Sequence, residues 1–355
     1  MKSGAKNIWL VCGGTGGHIS PAISIFQELT HRNAHPLFLS LEKNKGYPSI
    51  VNLQKNYTNV VFYKASPIPK SFALLYRFIG EIIYSWKIMK HLFKKDKPDL
   101  VCAFGGYPVF PALLFAVIKK IPYCMHEQNS RAGFITRLFS RKATHVFLSF
   151  PRGAYKKNEI LVGNPLRQNF LNWRPEKTKA TKSKKTILFL GGSQGAKDIN
   201  SLYLEMSRLE FFKNWKFIVS TGQKDFELMK TGARSADDIF PFIEDIPEKM
   251  KSSEYIISRS GSGVLYEILW SQTPAFFIPY PYAAANHQLF NAQTLSNVSS
   301  QYHTINLKPF NALEAAGIVM SIIESNQKKI STKNNPDRIS FPLNAHQAIA
   351  DILLN

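Results

Sequence analysis

Six consecutive residues near the start of the chain, Gly13-Gly14-Thr15-Gly16-Gly17-His18, have the types and spacing that could do chemistry. An apolar run at 8–12 leads straight into them, and helix-forming sequence follows at 21–29. Glycine after a strand lets the backbone turn sharply and a ligand come close. The helix beyond offers free N–H groups and about +0.5 charge at its start. A diphosphate suits such a place, and so does a plain tight turn. His18 stands at the mouth of the loop. Its imidazole reads either as a structural side chain or as a general base toward a hydroxyl, with an ordinary pKa near about 6.5.

Other nucleotide cradles fit less well. The G-x-G-x-x-G fingerprint fails, because a frame starting at Gly14 would need glycine where Ile19 stands. Glu42 does supply an acidic residue at the end of the second strand, so a dinucleotide site is weakened and not removed. There is no G-x-x-x-x-G-K-[ST], and no D-x-D to carry a metal-bound sugar nucleotide; Asp237-Asp238 are adjacent, and Glu244-Asp245 form the remaining acidic pair. The expectation is a site that needs no metal and no bound cofactor, using helix ends and side chains instead.

The elements that must hold these residues follow from the apolar pattern. Short runs at 8–12, 37–41, 100–104, 122–125 and 145–149 alternate with helical stretches, the mark of a parallel sheet with crossover helices. After Gly163-Asn164-Pro165 the segment 173–185 is polar and lysine-rich and reads as a linker. The pattern then restarts: a strand at 186–190, the turn Gly191-Gly192-Ser193-Gln194-Gly195, a helix from Ala196, and strands at 216–220, 255–258 and 274–278. Each half opens with strand, glycine turn and helix. Two Rossmann-like domains with parallel sheets facing across a cleft are expected, over 1–164 and 165–340, with the terminal helix near 341–355 returning to the first.

Composition agrees with two domains. The chain has 355 residues, 45% of them hydrophobic, enough for two cores. Lys+Arg 45 against Asp+Glu 24 gives a net charge of +21, which favours an anionic partner. No helix-turn-helix, zinc finger or aromatic RNP-like strand points to nucleic acid. Cys12, Cys102 and Cys124 are odd in number, lack metal-ligand spacing and lie in or beside apolar runs, so a reducing cytoplasm is expected. No apolar stretch reaches the ~18 residues of a spanning helix, nor does the start resemble a secretory signal.

The motifs converge when taken in order: Gly13 to Ala22, Gly105-Gly106-Tyr107, His126-Glu127-Gln128-Asn129, Gly163-Asn164-Pro165-Leu166-Arg167, Gly191 to Ala196, Arg259-Ser260-Gly261 with Glu267, and Pro279-Tyr280-Pro281-Tyr282 before Asn286-His287-Gln288. Their order and spacing, over about residues 8–295, resemble the MurG family of N-acetylglucosaminyltransferases. The resemblance implies an α/β fold of the GT-B kind and an inverting hexosyl transfer from UDP-GlcNAc to the C4 hydroxyl of lipid I, forming lipid II in peptidoglycan synthesis. It also implies a peripheral enzyme on the cytoplasmic face of the cell membrane. A UDP-GlcNAc epimerase with the same two-domain fold is the alternative.

Residue by residue, the resemblance makes His18 the candidate base and Thr15, Gly16 and Gly17 the loop that reaches the donor. Asn129 matches a sugar contact and Arg167 a basic donor-binding position. Ser193 matches a nucleotide contact and Ile243 a uracil-side contact. Ser262, Gly263, Val264, Leu265, Tyr266 and Glu267 match the loop and helix start around ribose and phosphate, and Gln288 a contact to the GlcNAc ring. A carboxylate such as Glu267 can accept two hydroxyl protons, as a ribose diol requires. The chain departs from the usual family pattern at Gly263 to Tyr266 and at Ala285.

One helix, over 74–95, bears on the membrane. Leu75, Phe78, Ile79, Ile82, Trp86, Met89 and Phe93 recur at three- and four-residue spacing beside Arg77, Lys87, Lys90, Lys94 and Lys95. Two readings fit: an interfacial helix drawn to an anionic membrane surface, or an amphipathic core helix. The first expects Leu75, Phe78, Ile79, Ile82 and Trp86 to face the lipid.

Overall fold

The computed structural model describes residues 5–67, 69, 71–173, 185–192, 195–329 and 341–355. These divide into two compact units, Met1–Gln168 with Pro342–Asn355, and Asn169–Phe341. Most of the lysine-rich stretch at 173–185 lies outside the described residues.

In the first unit the elements run β1 (Asn7–Val11), α1 (Gly16–His31), β2 (His35–Leu41), α2 (Pro48–Asn56), β3 (Val60–Tyr63), α3 (Phe72–Lys95), β4 (Leu100–Ala103), α4 (Phe110–Ile118), β5 (Tyr123–Glu127), α5 (Phe134–Phe139), β6 (His145–Leu148) and β7 (Glu159–Leu161). The strands form a parallel sheet in the order β3-β2-β1-β4-β5-β6-β7. A parallel sheet is covered on both faces, and the strands show it. Trp9, Val11, Val101, Ala103, Tyr123 and Met125 enter one core with α3, α4 and α5. Their neighbours Ile8, Leu10, Cys12, Cys102, Phe104 and Cys124 enter the other, with α1. All three thiols lie in that second core, free and buried.

After the short helix α6 (Gln168–Leu171), the second unit runs β8 (Lys185–Leu190), α7 (Lys197–Arg208), β9 (Trp215–Ser220), α8 (Phe226–Thr231), β10 (Asp238–Phe240), α9 (Ile246–Ser252), β11 (Tyr255–Ser258), α10 (Ser262–Ser271), β12 (Ala275–Phe277), α11 (His287–Ser296), β13 (Tyr302–Thr304) and α12 (Ala312–Lys329). Its sheet is again parallel, in the order β10-β9-β8-β11-β12-β13. Helix α13 (Ala345–Leu354) packs on α1, burying Ile349, Ala350 and Leu353 in the second core of the first unit. Arg32 bridges Glu28 and Asp351 beside it.

Both sheets share the doubly wound arrangement in which the chain goes outward from a central strand, returns, and continues on the other side. The point of reversal lies between β1 and β4 in one unit and between β8 and β11 in the other. Ligands of such sheets bind outside the carboxyl ends of the strands at that point.

Helix α3 corrects the sequence reading of its faces. Trp86 meets Phe115 edge-on at 4.7 Å and Phe78 packs on Phe110 at 6.0 Å, so Phe78, Ile82 and Trp86 turn toward the body of the unit, as do Met89 and Phe93. The outward apolar stripe is instead Phe72, Tyr76, Ile79 and Ile83, 78%, 76%, 46% and 52% exposed. Of the residues expected at the lipid, Leu75 is half-buried and Ile79 alone lies on this stripe. The spacing 72, 76, 79, 83 is itself helical, and it continues into Lys87, Lys90 and Lys94. The sequence carries two stripes, and only packing tells which one the core takes. Among the described residues no helix is long and apolar enough to cross a membrane.

Candidate active site

The glycine loops occupy the two reversal points. In the first unit, Gly13 to Gly17 leave β1 and enter α1, with Thr15 at the N-cap and Gly16 and Gly17 in the first turn, all three exposed. The Thr15 carbonyl accepts from the amides of His18 and Ile19 at 3.1 and 3.2 Å, so the helix begins at Gly16, earlier than the sequence reading from Pro21. This puts the His18 side chain in the first turn, over the loop that leaves β4.

That second loop is built to receive an imidazole. Gly105 has φ +61°, and a Cβ there would lie 2.6 Å from Gln128 Oε1 and 3.0 Å from His18 Cδ2; one on Gly106 would lie 3.3 Å from His18 Cε1. Side chains at these positions would displace the ring. On its other edge, His18 Nδ1 lies 3.4 Å from Thr15 Oγ1.

Beneath lies a buried polar layer from β5, which the sequence reading quoted as a motif without giving roles to three of its residues. His126 Nε2 lies 3.1 Å from the Gly163 carbonyl, and Gln128 Nε2 lies 3.0 Å from His126 Nδ1. Glu127, also buried, accepts from the Asn129 amide at 3.1 Å, the Gly133 amide at 2.9 Å and the Thr136 hydroxyl at 2.6 Å, with Asn129 Nδ2 at 3.4 Å. It shapes the loop that carries Asn129. A run of His-Glu-Gln-Asn ending an apolar strand was the available signal, since polar side chains are buried only where they have partners.

Burial holds His126 neutral, pushing its pKa down to about 4; His18 nearby lowers it too, and the Gly163 carbonyl opposes the shift. The unfolded imidazole takes a proton near about 6.5, so between about pH 6.5 and 4 the unfolded chain binds more protons and stability falls as pH falls. An NMR titration should show His126 neutral at pH 5. Urea unfolding at stepped pH should lose on the order of 3 kcal/mol across that window from this group.

The second unit repeats the loop with different chemistry. A Cβ on Gly195, at φ +76°, would lie 2.4 Å from the Thr221 carbonyl, and one on Gly191 3.0 Å from the Ser220 carbonyl, so the loop is pressed onto the end of β9. Thr221 and Gly222 donate in turn to Phe240 and Pro241 at the end of β10, which places buried Ile243 on the adjoining loop. Ser193 lies outside the described residues. Arg259, at the end of β11, reaches Asp198 in the first turn of α7 at 2.7 Å, donates to the Ile278 and Pro279 carbonyls, and stacks on Tyr280 at 5.4 Å. Ser260 Oγ donates to the Gln288 carbonyl, and Gln288 Oε1 accepts from the Tyr280 amide at 3.0 Å. Asp198, Arg259, Ser260 and Tyr280 are members of this cluster to which the motifs alone assign no role.

Buried Ser262 opens α10 with Gly263 in its first turn, and a Cβ added at Gly261 or Gly263 would meet nothing within 4 Å. Val264 is half-buried; Leu265, Tyr266 and Glu267 are buried, so Glu267 is not a surface carboxylate. Arg167, half-buried, follows Gly163-Asn164-Pro165 at the end of the first unit. The structure thus brings Thr15 to His18 together with Gly105, Gly106 and Gln128. In the second unit it links Asp198, at the start of the helix after the glycine loop, to Arg259, and Ser260 to Gln288.

The model of the Glycosyltransferase family 28 N-terminal domain matches residues 8–148, and that of its C-terminal domain residues 186–335. A transferase of Lawsonia intracellularis named UDP-N-acetylglucosamine–N-acetylmuramyl-(pentapeptide) pyrophosphoryl-undecaprenol N-acetylglucosamine transferase is 35% identical, over 82% of either chain. The chain belongs to the MurG family, within glycosyltransferase family 28. A Campylobacter jejuni member with the same name is 31% identical over 92% of either chain. The crystal structure of Acinetobacter baumannii MurG superposes with a TM-score of 0.73 at 24% identity, covering 98% of either chain, and shares the fold. For this MurG-family chain the two doubly wound units are the two Rossmann-like domains of a GT-B glycosyltransferase.

Proposed function

We propose that this chain transfers N-acetylglucosamine from UDP-GlcNAc to the C4 hydroxyl of the N-acetylmuramoyl sugar of lipid I, with inversion at the anomeric carbon, to give lipid II. One observation carries the reading beyond the relatives' names. Each doubly wound sheet has a glycine loop at its reversal point, and only the first presents an imidazole. The first unit then handles the acceptor and its proton, and the second holds the nucleotide.

In this reading His18 takes the proton of the attacking hydroxyl as the oxygen bonds to the anomeric carbon, and UDP departs with the bonding pair. Amides at the start of α10 stabilise charge on the departing diphosphate, and the Arg167 guanidinium is a further donor contact. Glu267 accepts the ribose hydroxyls. Ile243 and Ser193 line the nucleotide, Ser262 to Tyr266 the ribose and phosphate, and Gln288 the sugar ring through its amide nitrogen. Thr15, Gly16, Gly17 and Asn129 are contacts to the transferred sugar. Pure protein given UDP-GlcNAc should release UDP only when a soluble lipid I analogue is added. Glu267→Ala should raise the UDP-GlcNAc KM by about tenfold or more, with kcat largely kept. Conversion of UDP-GlcNAc without an acceptor would make the chain an epimerase instead.

The partner proposed for α3 is the anionic cytoplasmic surface of the cell membrane, which also holds the lipid-linked acceptor. The outward stripe of Phe72, Tyr76, Ile79 and Ile83 runs into Lys87, Lys90 and Lys94, which joins apolar insertion to attraction of about 1 kcal/mol per basic residue. Ile79→Ser with Ile83→Ser should weaken binding to phosphatidylglycerol vesicles by about tenfold or more, each side chain giving up about 2 kcal/mol of burial. Turnover of a soluble acceptor should be unchanged. Vesicle binding equal to that of the parent protein would remove this partner.

A further inference from the structure

The buried layer under His18 fixes a chain of proton positions that ends at the base. The Gly163 carbonyl can only accept, so the proton of His126 is on Nε2 and its Nδ1 is a lone pair. Gln128 can meet that lone pair only with its NH2 group, at 3.0 Å, which turns its carbonyl oxygen the other way. Gln128 is 1% exposed, and that oxygen is buried without a hydrogen-bond partner. It does not point into apolar packing. It converges with His18 Nε2 on one point above Gly105, where an added Cβ would be 2.6 Å from the oxygen and 3.2 Å from the ring nitrogen.

We infer that Gln128 is a positioning residue for His18: its carbonyl oxygen, facing the Nε2 edge, favours the imidazole proton there, leaving Nδ1, on the Thr15 side, as the atom that takes the acceptor's proton. This rests on the proposal that His18 is the base. The hydroxyl proton moves to Nδ1 as its oxygen bonds to the anomeric carbon. The resulting imidazolium keeps its Nε2–H on Gln128, and the sugar–phosphate bond breaks with its electrons going to UDP. An unmet buried acceptor is costly in the resting state and is satisfied best when the ring is charged, so the contact tightens as the proton arrives. The glycines at 105 and 106 keep the space between ring and amide empty.

The test measures His18 itself, by 15N NMR titration of the unliganded full chain, so it reads independently of turnover. In the parent protein the 15N shifts should report Nε2–H as the dominant tautomer. Gln128→Met, which keeps the volume and removes the acceptor, should lower the His18 pKa by about half a unit to one unit and mix the tautomers. It should also move the acid limb of kcat/KM down by the same amount and lower kcat about tenfold, with the UDP-GlcNAc KM unchanged. Gln128→Glu, which places a full charge at the same point, should shift the His18 pKa the opposite way and serves should the methionine variant not fold. A His18 titration indifferent to both substitutions, or a parent ring protonated mainly on Nδ1, overturns the assignment. Acceptor-independent chemistry in the parent protein would instead strike the transferase reading and leave the titration result standing.

Discussion

His18→Ala is expected to lower kcat by about 10²–10⁴ while leaving the UDP-GlcNAc KM within about threefold. The reason is the division of labour between the two loops. The groups proposed to recognise the uridine are supplied by the second unit, through a loop pressed onto β9, the start of α10 and buried Glu267. The imidazole of His18 belongs to the other loop, held over Gly105 and Gly106 with its Nδ1 edge toward Thr15. Removing it takes away proton transfer without touching the groups proposed to bind the uridine. Loss of a transition-state interaction lowers kcat and kcat/KM together, and a KM-only change would mark a binding role. The measurement is steady-state UDP release with a soluble lipid I analogue. A fall in kcat smaller than about tenfold would reassign His18 to binding. Added imidazole should recover part of the activity of His18→Ala, because the space above two glycines can admit it.

How far the sequence discloses such an arrangement depends on burial. The central strands could be read because both faces of a parallel sheet are covered, and runs such as Ile8-Trp9-Leu10-Val11 are apolar throughout. The strands that escaped reading are the edges of both sheets: Val60–Tyr63, Glu159–Leu161, Asp238–Phe240 and Tyr302–Thr304. Each is three or four residues long and has one strand neighbour, so most of its positions are half-buried and its sequence carries little period. Glycines caused the opposite error at α1. Gly16 and Gly17 look like turn residues, yet they form the first helical turn, because there the backbone amides are wanted bare.

The site divides along the same line. Its glycine loops were legible as motifs because their chemistry is backbone chemistry, set by the absence of side chains. The buried polar layer was not, because the sequence shows that His126, Glu127 and Gln128 are polar but not which neighbour each one meets. Partners lie far along the chain: Gly163 for His126, and Arg259 for Asp198. Only the strand order, which brings the ends of β5, β6 and β7 side by side and the start of α7 beside the end of β11, makes them neighbours.

Glu127 shows how such a layer separates scaffolding from chemistry. A carboxylate two residues from Asn129 in a candidate active site could be taken for a second base. Its oxygens are already engaged, with the Asn129 amide on Oε1 and the Gly133 amide and Thr136 hydroxyl on Oε2. Glu127→Gln keeps the shape and must turn an NH2 group toward one of the two backbone amides, whichever way the side chain lies. One buried donor then faces another, at a cost of about 1–3 kcal/mol, more if the lost charge weakens the remaining contacts. For a unit of this size that corresponds to a fall of about 2–12 °C in the unfolding midpoint. Because the loop that carries Asn129 loosens, kcat should fall as well, while UDP affinity, a property of the second unit in this reading, should hold. Thermal unfolding, UDP titration and UDP release on one preparation give the three readouts. If the midpoint were unchanged and kcat fell by more than about 10³, the carboxylate would be moving protons and the organising role assigned to it would be wrong. A lowered midpoint with intact UDP binding places its work in holding the loop, and leaves the imidazole above Gly105 to act on the acceptor hydroxyl.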